Sequence, residues 1–157
     1  MERTARDKSL RVAYAAGFGT AVAVALLLRV AGAKGELWLD ELWSLHLIDR
    51  IRQGDVLASI ATDNNHYLNT LWLWLVGPDQ PPLVIRGLSI VLGTAGVAVA
   101  GWLQRSRGLA TAVMTMMLVG VAYPMVNAGS EARGYAGMRL CALVSIALPG
   151  RALEEGQ

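Results

Sequence analysis

Apolar residues in this chain come in long blocks separated by short polar breaks. Residues 12–28 carry no charge, and the run closes at Arg29 and a small-residue step, Ala31-Gly32-Ala33. About 20 apolar residues suffice for a helix to cross ~30 Å of hydrocarbon. Residues 12–32 are therefore the first predicted transmembrane span, with Arg29 snorkelling toward an interface. A cleaved signal peptide is the rival reading of this block, because the small-residue step resembles a cleavage site. Blocks at 82–104, 109–129 and 134–150 predict three further spans, the last interrupted by Arg139 and Pro149. The turn Arg105-Ser106-Arg107-Gly108 and the break Ser130-Glu131-Ala132-Arg133 separate them.

Between the first two spans lies a polar-aromatic loop, 33–81, with two helical patterns. In the first, Leu42, Leu45, Ile48 and Ile51 recur at i+3 spacing, while Asp49, Arg50, Arg52 and Gln53 crowd the other face and Gly54 provides a stop. The second runs from Asp63 to about Val76, with Leu68, Leu71, Trp72 and Leu75 on one side, and ends at Gly77-Pro78. Both are too short or too polar to span, and fit amphipathic helices lying in the interface. Trp38, Trp43, Trp72 and Trp74 fall in this loop, as expected of rings held at headgroup level. The expected fold is all-α, a polytopic bundle of about four transmembrane helices with interfacial helices in the first outer loop.

Composition agrees: 54% of the 157 residues are hydrophobic and only 17% are charged, too few to cover a soluble domain of this size. The net charge of +2 and the lack of a basic patch with interleaved aromatics exclude nucleic acid as a partner. The single Cys141 has no internal disulfide partner. Charge also sets the orientation. The amino-terminal segment (Arg3, Arg6, Lys8, Arg11) and the Arg105–Arg107 turn share one side and are basic, which predicts a cytoplasmic amino terminus. The 33–81 loop sets Lys34, Arg50 and Arg52 against Glu36, Asp40, Glu41, Asp49, Asp55, Asp63 and Asp79, three cations against seven carboxylates, or −4. Asp40-Glu41, His66 and Glu131/Arg133 are thereby expected on one outer face.

Each of these groups has an architectural and a chemical reading. Asp40 stands where an N-cap would start the first interfacial helix, and acids favour a first turn. A carboxylate held at the lipid boundary is also partly desolvated, which raises its pKa and makes it a better base. Asp63 is a natural N-cap, and His66 in the next turn could contact an anion or ligate a metal with an acidic partner. Ser130 could cap the fourth span with Arg133 snorkelling; alternatively Arg133 offers a charge-assisted grip on phosphate. Arg86 is either a headgroup anchor or a phosphate contact.

The early Asp-Glu pair, the segment DNNHYLNTLWLWLVG at 63–77, the span LVIRGLSIVLG at 83–93 and the break GSEARGYA at 129–136 occur here in one order. In this the chain resembles the amino-terminal part of polytopic glycosyltransferases of the GT-C superfamily. It is most similar to the group of bacterial protein-O-mannosyltransferase-like and aminoarabinose-transferase-like enzymes, over about 12–153. The resemblance implies an inverting enzyme of the bacterial plasma membrane. Such an enzyme moves a sugar from a polyprenyl-phosphate donor to a hydroxyl on a lipid, glycan or protein at the outer face. It implies Asp40 as the catalytic carboxylate with Glu41 beside it, and Glu131, Arg133, His66 and Arg86 around the donor phosphate. It also implies a divalent metal ion associated with His66.

Two departures accompany it. Family enzymes have many more spans, so this four-span chain is expected to be a truncated product, a fragment or half of a split enzyme. His66-Tyr67 also stands where many relatives carry a proline. The alternative is a non-enzymatic multi-pass membrane subunit in which every acid and arginine is a cap or anchor. A transporter or channel would need polar residues opposed in mid-span, and the second and third spans offer little beyond Ser89, Thr94, Thr111 and Thr115. A glycosidase would need an opposed carboxylate pair, which adjacent residues do not supply.

Overall fold

A computed structural model describes residues 2–55 and 66–155, with side chains over 8–55 and 66–147. The described residues are all-helical: α1 (Glu2–Gly32), α2 (Leu39–Arg52), α3 (Tyr67–Val76), α4 (Pro82–Ile85), α5 (Gly87–Leu103), a 3-10 turn (Arg105–Arg107), α6 (Leu109–Val121), α7 (Tyr123–Ala128) and α8 (Tyr135–Glu155). Asp63, expected to cap the second interfacial helix, lies outside the described residues; α3 begins at Tyr67 with His66 as its N-cap.

The long helix α5 packs against α1, α6 and α8, and α1 also lies along α6. Their contact is made of small residues. Ala21, Ala25, Val97 and Met116 form a buried cluster, with Phe18, Val22 and Val119 against it. A Cβ on Gly101 would sit 2.2 Å from Cγ of Met116, so this glycine makes the room that the buried Met116 side chain fills between α5 and α6. Such small-residue seams are the usual way apolar helices associate where hydrophobic burial supplies no drive. Two helical stretches, Lys8–Gly32 and Gly87–Arg107, are long and apolar enough to cross a membrane by length and composition; Leu109–Val121 and Tyr135–Ala147 are shorter apolar helices.

The second predicted span begins later than expected. Pro82–Ile85 forms a separate turn, and Arg86 stands between it and α5. The third is broken. Ala122 adopts an extended ψ of 120°, and Pro124 lies in the first turn of the short α7. Proline has no N–H to give the carbonyl four residues earlier, which here is that of Gly120. Arg29 supplies the missing donor. It is 1% exposed and does not snorkel, because its guanidinium donates to the carbonyls of Ala25 (2.9 Å), Gly120 (3.3 Å) and Met125 (3.3 Å). A charge buried this way serves a helix break that would otherwise strand polar backbone in an apolar bundle.

The two interfacial helices also dock differently from their patterns. In α2, Leu45 and Ile48 enter a core cluster with Leu73, Ile85 and Ala132, but Leu42 is exposed. In α3 the expected face is turned largely outward. Leu68, Leu71 and Leu75 are exposed, while Leu73 and Asn69 are buried. A helix that is apolar all round has no periodicity to choose its inner face; here Asn69 chooses it by a hydrogen bond described below.

Candidate functional site

The bundle brings the 33–55 segment and the 129–134 break to one end: α1 and α7 finish there, and α2, α5 and α8 start there. Glu41 lies at its centre, fully buried. As third residue of α2 it accepts the backbone N–H of Trp38 (2.8 Å), which is N-cap of the helix. The capping expected of Asp40 is therefore performed by its neighbour. Glu41 Oε1 also accepts the N–H of Ala132 (2.6 Å) and Nε of Arg86 (2.8 Å), and Oε2 accepts Nη2 of Arg86 (2.6 Å). Burial pushes the Glu41 carboxyl up, but the Arg86 guanidinium and the two backbone N–H groups outweigh it and hold it below the ordinary carboxylate range.

Arg86 is 1% exposed, and its remaining donors go to the carbonyls of Ala33 (2.9 Å), Gly35 (2.8 Å) and Glu36 (2.8 Å). All five N–H groups of a guanidinium are thus engaged. None is left for a phosphate, so Arg86 joins the α1–α2 connection to α5 rather than reaching a ligand. Glu41, ionised and saturated with donors, likewise has no free lone pair to act as a base. Both residues hold the site's frame.

That frame fixes one loop, 129–134. Glu41 takes the N–H of Ala132, Asn69 Nδ2 donates to its carbonyl (2.7 Å), and Ser89 Oγ donates to the carbonyl of Arg133 (3.0 Å). Ser130 Oγ reaches the carbonyl of Arg29 (3.1 Å), and does not cap α8. Three helices thereby present the side chains of Glu131 and Arg133 outward.

Arg133 meets Asp40, 93 residues away, through an ion pair from Nη2 to Oδ2. The pair is accessible: the Asp40 side chain is 46% exposed and that of Arg133 22%. Glu131 Oε2 lies 3.6 Å from Arg133 Nε, and Oε1 accepts from Asn127 (2.7 Å). Tyr135 stands between Arg133, whose guanidinium lies 5.8 Å from the ring centre, and His66, whose ring meets it edge-on at 5.2 Å. His66 fits because residue 134 is glycine; a Cβ there would lie 2.8 Å from Nδ1. So Asp40, His66, Glu131 and Arg133 are brought together, while Glu41 and Arg86 stand immediately behind them.

Among the described residues no three His, Cys, Asp or Glu side chains gather around a common point; His66 packs edge-on against Tyr135 and close to Gly134.

Two cavities open beside the cluster. One, of about 460 Å³, is lined by residues including Trp38, Glu36, Tyr123, Asn127 and Glu131. The other, of about 340 Å³, shares Tyr123, Asn127 and Glu131 and adds Arg133, Tyr135 and Arg139. Asn69, Ser89, Asn127 and Arg139 were not singled out as site residues from the sequence. Asn69 and Arg139 did carry a signal, as polar side chains inside apolar runs.

No family model, curated protein or solved structure matches this chain.

Proposed function

We propose that this chain is an inverting glycosyltransferase of the GT-C type, or the amino-terminal part of one. It takes a sugar from a polyprenyl-phosphate donor and passes it to a hydroxyl on a lipid, glycan or protein. The observation that carries the reading is the accessible Asp40–Arg133 pair, made by residues 93 apart on a loop that three buried hydrogen bonds hold still. A base and a phosphate-binding cation side by side are the two groups that such a transfer needs.

In the reaction Asp40 removes the proton from the acceptor hydroxyl. The acceptor oxygen bonds to the anomeric carbon from the side opposite the phosphate. The bond from that carbon to the phosphate oxygen breaks, and its electron pair stays on the phosphate. Arg133 stabilises that charge as it develops. His66 braces Arg133 through Tyr135, and Glu131, itself held by Asn127, lies directly against the Arg133 guanidinium. Glu41 and Arg86 keep both partners in place.

The setting is a bacterial plasma membrane crossed four times by α1, α5, the α6–α7 pair and α8, with the amino terminus cytoplasmic. Large apolar side chains stay exposed on each, among them Leu27, Val91, Leu118, Met138 and Ile146, which supports lipid around the bundle. Arg29 makes the break between α6 and α7 tolerable there.

The rival is the non-enzymatic subunit. What favours it is the complete engagement of Glu41 and Arg86 in structure. Transfer assays in membranes carrying the chain, supplied with a panel of polyprenyl-phosphate hexoses and pentoses, separate the two. Asp40→Asn is expected to lower transfer by about 10²–10⁴-fold with membrane insertion unchanged. Undiminished transfer removes the base from Asp40. A wild-type chain inert toward the whole panel leaves the subunit.

A further inference from the structure

Arg139 interrupts the last apolar run, and neither a cap nor an interface explains it. It lies one turn inside α8, four residues after Tyr135, and lines the cavity of about 340 Å³ together with Arg133. Its Nη1 donates to the carbonyl of Pro124 (2.9 Å) and lies 3.4 Å from Sδ of Met125. Its other donors have no protein partner among the described residues.

The charges around it do not balance. Arg133 is paired with Asp40 and lies near Glu131, whereas among the described residues neither Arg139 nor Arg29 has a carboxylate within ion-pair distance. Arg29 and Arg139 converge from opposite sides on the same turn, one on the Met125 carbonyl and the other on the Pro124 carbonyl. Their like charges repel one another. An arginine within an apolar segment is costly unless carbonyls or an anion face it, and Arg139 meets a single carbonyl, that of Pro124. The cavity supplies the room, at a size ordinary for ligand sites. It also supplies two further groups able to donate, the hydroxyl of Tyr123 and the amide of Asn127.

We infer that this cavity is a phosphate seat, with Arg139 as its second cation beside Arg133, and that it takes the phosphate of a lipid-linked ligand entering from the bilayer. The inference deepens the reading of the preceding subsection by assigning the donor's phosphate to a place. Two arginines at one phosphate give the bidentate, planar recognition that a single lysine or a helix end does not. Arg139 approaches from the α8 side and Arg133 from the loop, so the anion would bridge α7 and α8. While the seat is empty, Arg133 rests on Asp40. A phosphate drawing on Arg133 would take that cation from Asp40, which couples donor binding to the carboxylate.

Binding tests this without any assay of transfer. Purified protein in detergent is titrated with farnesyl phosphate, with farnesol and with inorganic phosphate, following fluorescence of the tryptophans. Farnesyl phosphate is expected to bind at least tenfold more tightly than farnesol. Arg139→Gln should lower its affinity at least tenfold and leave farnesol unchanged, and Arg139→Lys, which keeps the charge without the planar fork, should fall between the glutamine variant and wild type. The lysine variant also guards against loss of fold. Asp40→Asn should bind farnesyl phosphate as tightly as wild type or more tightly, because Arg133 loses its resting partner. Competition by inorganic phosphate at similar concentration would assign the seat to free phosphate; no competition assigns it to a lipid headgroup. Equal binding of farnesol and farnesyl phosphate, or a glutamine variant that binds like wild type, overturns the seat. These outcomes hold whether or not sugar transfer is found. A seat without transfer would sink the enzymatic reading alone.

Discussion

The buried junction of Glu41 and Arg86 and the accessible face of Asp40, Arg133 and Arg139 sit side by side at one end of the bundle. They use the same residue types in opposite ways. In the junction each charged atom is matched by donors or acceptors fixed by the fold: Glu41 takes four hydrogen bonds and Arg86 gives five. On the accessible face water reaches the charges. The Asp40 side chain is 46% exposed, and among the described residues Arg139 meets one backbone carbonyl. One residue of sequence separates Asp40 from Glu41, yet a helix turns 100° per residue, enough to send one carboxylate into the core and the other to the rim. An adjacent acidic pair can thus divide its labour, one member holding the frame inside and one standing at the solvent-exposed rim.

The sharpest way to break this comparison is to remove Arg86. Arg86→Ala strands the Glu41 carboxylate and three carbonyls without donors in a buried place, which costs about 3–5 kcal/mol for the broken pair alone. The expected result is a large drop in thermal midpoint in detergent, or failure to accumulate. Asp40→Asn, at an exposed pair, should cost no more than about 1 kcal/mol. Equal destabilisation by the two variants would erase the distinction between frame and face. Replacing both junction residues by apolar ones, as in Glu41→Leu with Arg86→Met, should not recover the loss. Each partner also serves backbone groups that an apolar side chain leaves unpaired.

Much of the fold was legible because apolar blocks announce helices whatever their packing. Helix occupies all four apolar blocks, two of them long and apolar enough to cross a membrane, and the 129–134 break does meet the first loop. Three features were hidden for physical reasons. Pro124 lies inside an apolar block, so hydropathy alone reads through a helix break that only its missing N–H reveals. Arg29 looks like an interfacial anchor until that break creates carbonyls for it to serve. The inner face of α3 could not be read, since Leu68, Leu71 and Leu75 are as apolar as Leu73, and the buried polar side chain, Asn69, decides the rotation. At the site, sequence order indicated which residues would meet. It gave no means of telling Asp40 from Glu41, because capping by a third-position glutamate and capping by an acid one residue earlier leave nearly the same pattern.

Asn69 gives the intermediate test. Asn69→Leu keeps the branched shape of the side chain but leaves the Ala132 carbonyl without its donor in a buried place, a loss of about 1–3 kcal/mol. Its second effect bears on the comparison more directly. With one of three restraints on the loop gone, Arg133 should lose its fixed position, so the affinity for farnesyl phosphate should fall while that for farnesol stays. A variant that unfolds earlier yet binds the phosphate unchanged would show that the loop needs only Glu41 and Ser89.

The smallest effect is expected from pH, and its sign separates the two regions. The folded Glu41 carboxyl is held below its ordinary value of 4.5. A group depressed in this way binds its proton less readily folded than unfolded. Its contribution to stability is therefore fully present above the ordinary value and drains away as pH falls from there through the lowered one. The thermal midpoint should be insensitive to Glu41 from neutrality down to about pH 5 and should decline below it. Glu41→Gln starts from a lower midpoint, since a neutral amide cannot match the Arg86 charge, but it should lack that share of the acid decline. A decline beginning between about pH 5 and 7, or an acid limb of undiminished steepness in the glutamine variant, would mean that a different group governs acid stability. The junction would then be no more strongly held than the face beside it.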